Sequence, residues 1–261
     1  MTILYEVKDK IATITLNRPE VANAQNAALL DALDEAWTKA ARDEDVAVIV
    51  LRAEGKHFSS GHDLKSGGWP APEQITLEWI YREETRRYLE YTLRWRNTPK
   101  PSIAAVQGKC IAGGLMLCWP CDLIIASEDA QFSDPVVHMG IGGVEYHGHT
   151  WELGPRKAKE ILFTGRPITA DEAEKVGMVN RVVPRERLDT ETRELAEQIA
   201  KMPSFGLRQA KRAVNQTLDV QGFYAAIQSV FDVHETGHGN ALSVGGYPIL
   251  VNLDEMKSKI K

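Results

Sequence analysis

The segment most informative about the fold is residues 99–135, PKPSIAAVQGKCIAGGLMLCWPCDLIIASEDAQFSDP. Its apolar runs at 102–106 and 121–126 have the length and composition of strands that are buried on both faces. A glycine-containing turn, 108–114, and a short apolar run, 115–119, lie between them. This pattern predicts two strands of a parallel sheet with a turn that leads into a helix.

The same alternation of strands and helices extends toward the N-terminus. Residues 3–7 and 11–16 alternate like a β-hairpin, and 46–51 form another buried apolar run. Apolar residues recur at helical spacing in 28–43, and a long helix is predicted over 73–97, where Pro99 follows. Together these elements predict an α/β fold with helices covering the sheet.

Beyond about residue 154 the sequence is predominantly helical. Thr169-x-x-Glu172 fits a capping box, a short strand is predicted at 178–183, and helices are predicted at 187–201, 204–217 and 221–236. We therefore divide the chain into an α/β core, 1–195, and a C-terminal helical region, 196–261.

Composition excludes several classes of protein. The 261 residues are 43% hydrophobic and 26% charged, which is typical of a globular chain, and no apolar run is long enough for a membrane helix. The net charge of −5 argues against a nucleic-acid partner. The N-terminus lacks the pattern of a signal peptide, so we expect a cytoplasmic protein without a membrane partner.

The three cysteines, Cys110, Cys118 and Cys121, are interpreted as buried apolar cysteines rather than a redox pair.

Two turns follow predicted strands and are candidates for ligand binding. They are residues 59–64, SSGHDL, and 108–114, GKCIAGG. Strand ends in open α/β sheets commonly bind ligands, and glycine permits close approach of the backbone. Two backbone N–H groups from such turns can stabilise a developing oxyanion, and one such donor is typically worth ~2.7–4 kcal/mol in the transition state.

Three segments strongly resemble the crotonase superfamily, which is the enoyl-CoA hydratase/isomerase family. They are VIVLRAEGKHFSSGHDL (48–64), residues 99–135 and LGPRKAKEILFTGRPITADEAEKVGMVNRVVP (153–184). The resemblance covers roughly residues 3–215. It implies a crotonase-like spiral of ββα units with a helical C-terminal extension that serves in trimerisation or as a lid. It also implies a homotrimer or dimer of trimers, and an acyl-CoA thioester as the partner. Coenzyme A would enter as part of the substrate, with no other cofactor and no metal.

The resemblance assigns candidate site residues. The amides of His62 and Gly113 match the oxyanion donors, although the family usually has alanine or another small residue where His62 stands. Residues expected to contact the substrate or its CoA are Ser60, Gly61, Leu64, Lys65, Met116, Val136, His138 and His147. Lys65 matches a position that can meet a CoA phosphate, and a solvated surface lysine is its alternative interpretation.

Met116 and Val136 occupy the positions at which enoyl-CoA hydratases carry two glutamates, so the usual two-glutamate mechanism is not expected. In GVEYHGHTWELG (143–154), Glu145 falls near the position where the dienoyl-CoA isomerases of the family carry their carboxylate, and we predict that it is the general base. A helix-capping or rim glutamate is the alternative. His138 and His147 are candidates for a second proton donor or for ordinary polar histidines. His147 and His149 beside Glu145 resemble a zinc pattern, but the family uses no metal and we expect none.

Aromatic residues are concentrated in 66–97, a region that borders the acyl chain in the family. Two interpretations are open for these aromatic residues: they shape the acyl pocket, or they pack a helix on the core. They are Trp69, Trp79, Tyr81, Tyr88, Tyr91 and Trp95.

The resemblance and the candidate residues together predict an acyl-CoA enzyme that stabilises a thioester enolate, with isomerisation, hydration and hydrolysis left open. The alternatives are a non-catalytic acyl-CoA-binding protein and an acyl-CoA hydrolase on the same fold.

Overall fold

The computed structural model describes residues 1–65, 70–71, 74–251 and 255. The strands are β1 (Ile3–Lys8), β2 (Ile11–Leu16), β3 (Val48–Ala53), β4 (Ser102–Val106), β5 (Lys109–Ile111), β6 (Leu123–Ser127), β7 (Gln131–Ser133), β8 (Ile168–Thr169) and β9 (Arg181–Val183). The helices are α1 (Ala27–Arg42), α2 (Leu77–Glu84), α3 (Tyr91–Arg96), α4 (Leu115–Cys118), α5 (His149–Thr164), α6 (Ala170–Lys175), α7 (Leu188–Ala200), α8 (Ser204–Val220) and α9 (Phe223–Gly245).

The larger sheet has the strand order β1-β2-β3-β4-β6-β9. The β1–β2 hairpin is antiparallel, as predicted, and every later pairing in this sheet is parallel. A smaller sheet joins β5, β7 and β8. The α/β class predicted from the apolar runs is confirmed, although β9 covers only the second half of the strand predicted at 178–183.

Side chains on the two faces of the sheet belong to two separate cores, because successive residues of a strand point to opposite sides. Leu51 of β3 and Ala104 of β4 lie in the larger core, which includes α1. Val50 and Ile103, their neighbours along the strands, lie in a smaller core with α7. Burial on both faces explains why these strands are continuous apolar runs.

Helix α1 begins at a polar cap and buries one face. The side chain of Asn26 accepts a hydrogen bond from the Leu29 amide at 2.9 Å, which satisfies one of the free N–H groups of the first turn. Leu33 and Trp37 follow on the buried face, and Trp37 stacks on Trp95 of α3. This stacking contact packs α1 against α3.

The long helix predicted over 73–97 is interrupted. Helices α2 and α3 are joined by a π-helical turn, Thr85–Glu90. Such turns frequently occur at functional sites. Here the interruption lies between Glu84 and the rest of the helix, so a buried carboxylate sits at the junction.

The C-terminal region is helical, as predicted, but its junction with the core differs from the division of the sequence. The boundary proposed at 195/196 falls inside α7, a helix that packs on the large sheet through Leu188 and Ala196. Helix α8 buries none of its residues, and α9 buries seven. Among the described residues, no helix is both long and apolar enough to cross a membrane.

Cys110, Cys118 and Cys121 are buried and free, in agreement with the sequence-based interpretation. The sulfur atoms of Cys110 and Cys118 lie 3.8 Å apart. Burial raises the pKa of the Cys118 and Cys121 thiols well above the ordinary value, so both are held as thiols.

Candidate active site

The two turns predicted to bind a ligand lie against each other. The Ser59 amide donates to Lys109 O at 3.2 Å, and the Ile111 amide donates to Ser59 O at 2.9 Å. Gly61 has a φ of +85°, and a Cβ atom there would lie 2.8 Å from Ile111 O and 3.2 Å from Gly113 N. The approach of the second turn therefore requires glycine at position 61.

Neither the His62 amide nor the Gly113 amide donates to a backbone carbonyl among the described residues. Gly113 is the second residue of a 3-10 helix, Ala112–Gly114, where N–H groups lack an intrahelical acceptor. Ala112 before it has a φ of +47°, a strained conformation for a residue with a Cβ atom.

A cavity lies beside these turns. Its wall comprises residues of the two turns, the segment after β7, helices α2 and α9, and the C-terminal segment: Ser60, His62, Leu64, Glu84, Ile111, Ala112, Pro135, Val136, Met139, Ile141, Val144, Glu145, His234, His238, Tyr247, Pro248 and Ile249. A second cleft shares Ser60, His62 and Leu64 and continues to Lys65 and Lys109. One mostly apolar chamber thus adjoins an open cleft that carries two lysines.

Glu145, the predicted base, contacts His62 in the cavity wall. His62 Nε2 lies 2.5 Å from Glu145 Oε1, and the Glu145 residue is 1% exposed. Of the aromatic residues singled out in the sequence, Tyr88 stacks on the His62 ring with centroids 4.1 Å apart. Trp69 lies outside the described residues. Glu145 and Tyr88 thus hold the His62 ring from two sides.

The two pKa shifts of this pair agree in sign with an ion pair. Burial alone raises the pKa of Glu145, but the charges of His62 and His234 outweigh it and lower the pKa to about 2. Burial alone lowers the pKa of His62, but the Glu145 carboxylate raises it above the ordinary value. Both shifts favour the charged pair, a carboxylate facing an imidazolium.

A second polar cluster lines the same cavity and was missed in the sequence analysis. His234 Nε2 lies 3.0 Å from Glu84 Oε2 and 3.1 Å from His238 Nε2, and all three residues are buried. Burial lowers the pKa of His234, but Glu145 and Glu84 raise it to about 10. The sequence signal that could have revealed the cluster is HETGH, 234–238, whose histidines are four residues apart; Glu84 carries no such signal.

Only some of the other predicted site residues line the cavity. Ser60, Leu64 and Val136 line it, and Lys65 lines the adjoining cleft. Met116 is buried behind it, where its sulfur accepts a hydrogen bond from the Tyr146 amide at 3.5 Å. The substrate contacts proposed for these residues stay predictions.

His138 and His147 do not line the cavity that contains Glu145. The His138 ring lies against Gly165, at the end of α5. His147 lies beside His149, and burial, followed by the charge of His149, lowers the pKa of His147 to about 4. The structure therefore brings Glu145 together with His62, and not with the two histidines proposed as second proton donors.

A buried Asp134–His149 pair supports the loop that carries Glu145. Their side chains lie 3.0 Å apart, and Asp134 also accepts a hydrogen bond from the Val144 amide at 2.9 Å. Although burial raises the pKa of Asp134, the contact with His149 lowers it below the usual range. This carboxylate thus fixes the backbone immediately before Glu145.

Comparisons with known proteins agree with this architecture. The sequence profile of the enoyl-CoA hydratase/isomerase family matches residues 6–239. The chain is 45% identical, over 94% of its own length and 83% of the relative, to a Mycobacterium tuberculosis protein classed by name as an enoyl-CoA hydratase.

Solved structures give the same result. A crystal structure of a probable enoyl-CoA hydratase from Mycobacterium smegmatis superposes with a TM-score of 0.92 at 76% identity, covering 95% of this chain and 99% of that one. An enoyl-CoA hydratase/isomerase from Xanthobacter autotrophicus Py2 superposes with a TM-score of 0.87 at 32% identity, covering 99% and 96%. These neighbours confirm the predicted crotonase-like fold. The chain belongs to the enoyl-CoA hydratase/isomerase family, the crotonase superfamily, and is an enzyme of the enoyl-CoA hydratase/isomerase type.

Proposed function

We propose that the chain forms and protonates an enolate of an acyl-CoA thioester, using the His62 and Gly113 amides as the oxyanion hole and Glu145 as the acid–base group. The observation that carries the proposal is the buried His62–Glu145 ion pair in the wall of the cavity that both turns line. Isomerisation of a double bond is the reaction that fits best, because one group can remove a proton and return it at another carbon.

The chemistry follows from the arrangement of the charges. The Glu145 carboxylate takes a proton from carbon, and the electron pair of the broken C–H bond moves toward the thioester carbonyl oxygen. The two amides stabilise the charge that develops on this oxygen. Re-protonation by Glu145 at a different carbon completes the isomerisation, and His62 pairs with the carboxylate before the first step and after the last.

Hydration is the second candidate reaction, and Glu84 favours it. One nitrogen of His62 and one oxygen each of Glu84 and Glu145 lie within 4.8 Å of one another. Two carboxylate oxygens at this separation can hold a water molecule by one hydrogen bond each. The pair would replace, at new positions, the two glutamates of the usual hydratases.

A substrate panel tests the proposal. The protein is incubated with enoyl-CoA and dienoyl-CoA thioesters of different chain length, and products are followed by absorbance and mass. Isomerisation changes the absorbance without a change in mass, whereas hydration adds the mass of one water. Tight binding of acyl-CoA without turnover of any member of the panel contradicts the proposal and indicates a binding protein.

The His62→Ala variant separates the backbone of this residue from its side chain. The amide donor remains, but Glu145 loses one of the two cations that lower its pKa, and His234 remains. The pKa of Glu145 therefore rises. We expect the acid limb of the pH profile of kcat/KM to move upward by about one to three pH units, the shift that one neighbouring opposite charge produces.

The control for this variant is His57→Ala, which removes a histidine that does not line the cavity. Its acid limb should coincide with that of the wild type. An unchanged acid limb in His62→Ala would show that His62 does not set the pKa of the catalytic base.

The adjoining cleft is proposed to bind the CoA portion of the substrate. Lys65 and Lys109 lie on this cleft, and it opens onto the oxyanion turns through Ser60 and Leu64. Two ammonium groups are suited to the phosphates of CoA, because exposed lysines bind phosphate as point charges. The acyl group would then enter the chamber that contains Glu145.

The exposed face of α8 supports the proposed homotrimer. Ala210, Ala213, Val214, Thr217 and Val220 follow helical spacing and are all exposed, and Val220 is 89% exposed. A helix with a mostly apolar exposed face is typical of a protein–protein contact. We propose that this face packs against another copy of the chain.

The Val214→Glu variant is expected to weaken the association, because a buried unpaired carboxylate costs several kcal/mol, on the order of 3 or more. Light scattering during size-exclusion chromatography should give a trimer or hexamer for the wild type and smaller species for the variant. Gln216→Glu, which adds the same charge to a polar position of α8, should keep the wild-type mass. A monomeric wild-type protein contradicts the proposal.

A further inference from the structure

We propose that Glu84, His234 and His238 form a binding site for a divalent transition-metal ion, with zinc as the best match, in the wall of the acyl-CoA cavity. The site goes beyond the proposed function, because enolate formation in the oxyanion hole does not require it. It also departs from the sequence-based expectation that the protein holds no metal, which followed from the resemblance to a family that uses none.

The spacing of the three donor atoms fits tetrahedral coordination. Glu84 Oε2 lies 3.0 Å from His234 Nε2 and 3.6 Å from His238 Nε2, and the two nitrogens are 3.1 Å apart. Ligands at zinc bond lengths of about 2.0–2.1 Å are separated by roughly 3.3 Å in a tetrahedron. The triangle therefore has the size of one face of such a site.

Both imidazole rings are oriented for metal binding by backbone carbonyls. His234 Nδ1 donates to Gly143 O at 2.6 Å, and His238 Nδ1 donates to Pro248 O at 2.7 Å. A carbonyl can only accept, so each Nδ1 carries a proton, and Nε2 is the nitrogen of each ring that can bind a metal once it carries no proton. Hydrogen bonds of this kind accompany most histidines that bind metals.

With no proton on either Nε2, three acceptors would face one another. The two Nε2 lone pairs and the Glu84 carboxylate would repel unless a positive charge lay among them. An additional proton on one ring or a metal ion can supply that charge. A metal ion would contact all three atoms at once, in place of the proton.

The sequence of α9 matches a known zinc-binding pattern. Residues 234–238, HETGH, have the form H-E-x-x-H, which places two histidines on one face of a helix. The structure confirms that these residues are helical and that both histidines are buried. Glu84 at the end of α2 completes a His₂Glu set, one of the ligand sets of catalytic zinc.

The charges around the site also favour a divalent cation. Glu84, Glu145 and Glu235 are all buried, and each is 3% exposed or less. Neither oxygen of Glu235 has a hydrogen-bond partner among the described residues. A bound divalent ion would offset negative charge on these buried side chains.

The site is accessible to a ligand from the cavity. Glu84, His234 and His238 line the same cavity as the oxyanion turns, so a fourth coordination position can be directed into it. An ion there, when bound, could polarise a water molecule or a substrate oxygen. Pro248, whose carbonyl holds the His238 ring, belongs to the segment that forms part of the cavity wall.

Metal binding can be measured without substrate, so its outcome is independent of the proposed activity. Full-length protein without a histidine tag is stripped with a chelator and titrated with Zn²⁺ or Co²⁺. Elemental analysis should find about one ion per chain, and bound Co²⁺ should show the visible absorption of a four-coordinate site. No binding at micromolar Zn²⁺, as expected for a triad that only shares a proton, overturns the proposal.

Ligand variants locate the ion. We expect His234→Ala, His238→Gln and Glu84→Gln each to lower the affinity for Zn²⁺ more than about 100-fold, the upper end of the losses caused by mutating supporting residues. His147→Ala and His57→Ala are matched controls that should bind zinc like the wild type. Circular dichroism confirms that each variant is folded. Unchanged zinc affinity in the folded ligand variants, or its loss in His147→Ala, contradicts the assignment.

Discussion

Glu145→Gln is expected to lower kcat/KM by about 10²–10⁴-fold, the usual contribution of a positioned acid–base group. The substitution keeps the shape of the side chain but removes its ability to take a proton. It also removes the negative charge that faces His62 Nε2 at 2.5 Å. Because Glu145 lines the acyl chamber and not the lysine-bearing cleft, acyl-CoA binding should change much less than turnover.

The measurement is steady-state kinetics on the best substrate of the panel, together with binding of an unreactive acyl-CoA analogue. Glu128→Gln, a change of the same type at an exposed position, should retain wild-type activity. Turnover of Glu145→Gln within a few-fold of the wild type would exclude Glu145 as the base and return it to a structural role beside His62.

Gly113→Ala is expected to lower kcat by about 10²–10³-fold, the loss typical of removing one oxyanion donor. The added Cβ atom would lie 2.5 Å from His62 Nδ1 and 2.8 Å from Gln25 Oε1. Neither contact is tolerable, so the turn or the His62 ring must move. Either displacement disturbs a group that the proposed mechanism uses.

Gly206→Ala is the matched control, because a Cβ atom at this position in α8 meets nothing within 4 Å. It should leave the rate unchanged and, as alanine in a helix, slightly raise the thermal stability. A thermal melt of Gly113→Ala separates a local effect on the turn from global unfolding. A folded Gly113→Ala enzyme with wild-type kcat would contradict the proposed oxyanion hole.

Much of the fold could be predicted because a strand that is buried on both faces is a continuous apolar run in the sequence. Strand β4 was predicted with its observed bounds, Ser102–Val106, since every residue of the run is buried. The interruption of the helix at Thr85–Glu90 could not be predicted. No proline or glycine within this segment marks the interruption.

The site was only partly predictable for a related reason. The turns of Gly61 and Gly113 carry glycine signatures, but contacts between side chains distant in the sequence leave none. His62 and Glu145 are 83 residues apart, and Glu84 and His234 are 150 apart. The HETGH segment matches the H-E-x-x-H zinc pattern in the sequence, but only the fold brings Glu84 beside its two histidines.

The central claim is that one thioester oxygen contacts the amides of both turns while Glu145 reaches the reacting carbon. A crystal structure with an unreactive acyl-CoA analogue that keeps its carbonyl group tests it most directly. We predict that this oxygen lies about 2.7–3.1 Å from both His62 N and Gly113 N. An analogue bound with its carbonyl oxygen away from either amide, or with its acyl chain outside the chamber of Glu145, would contradict the account.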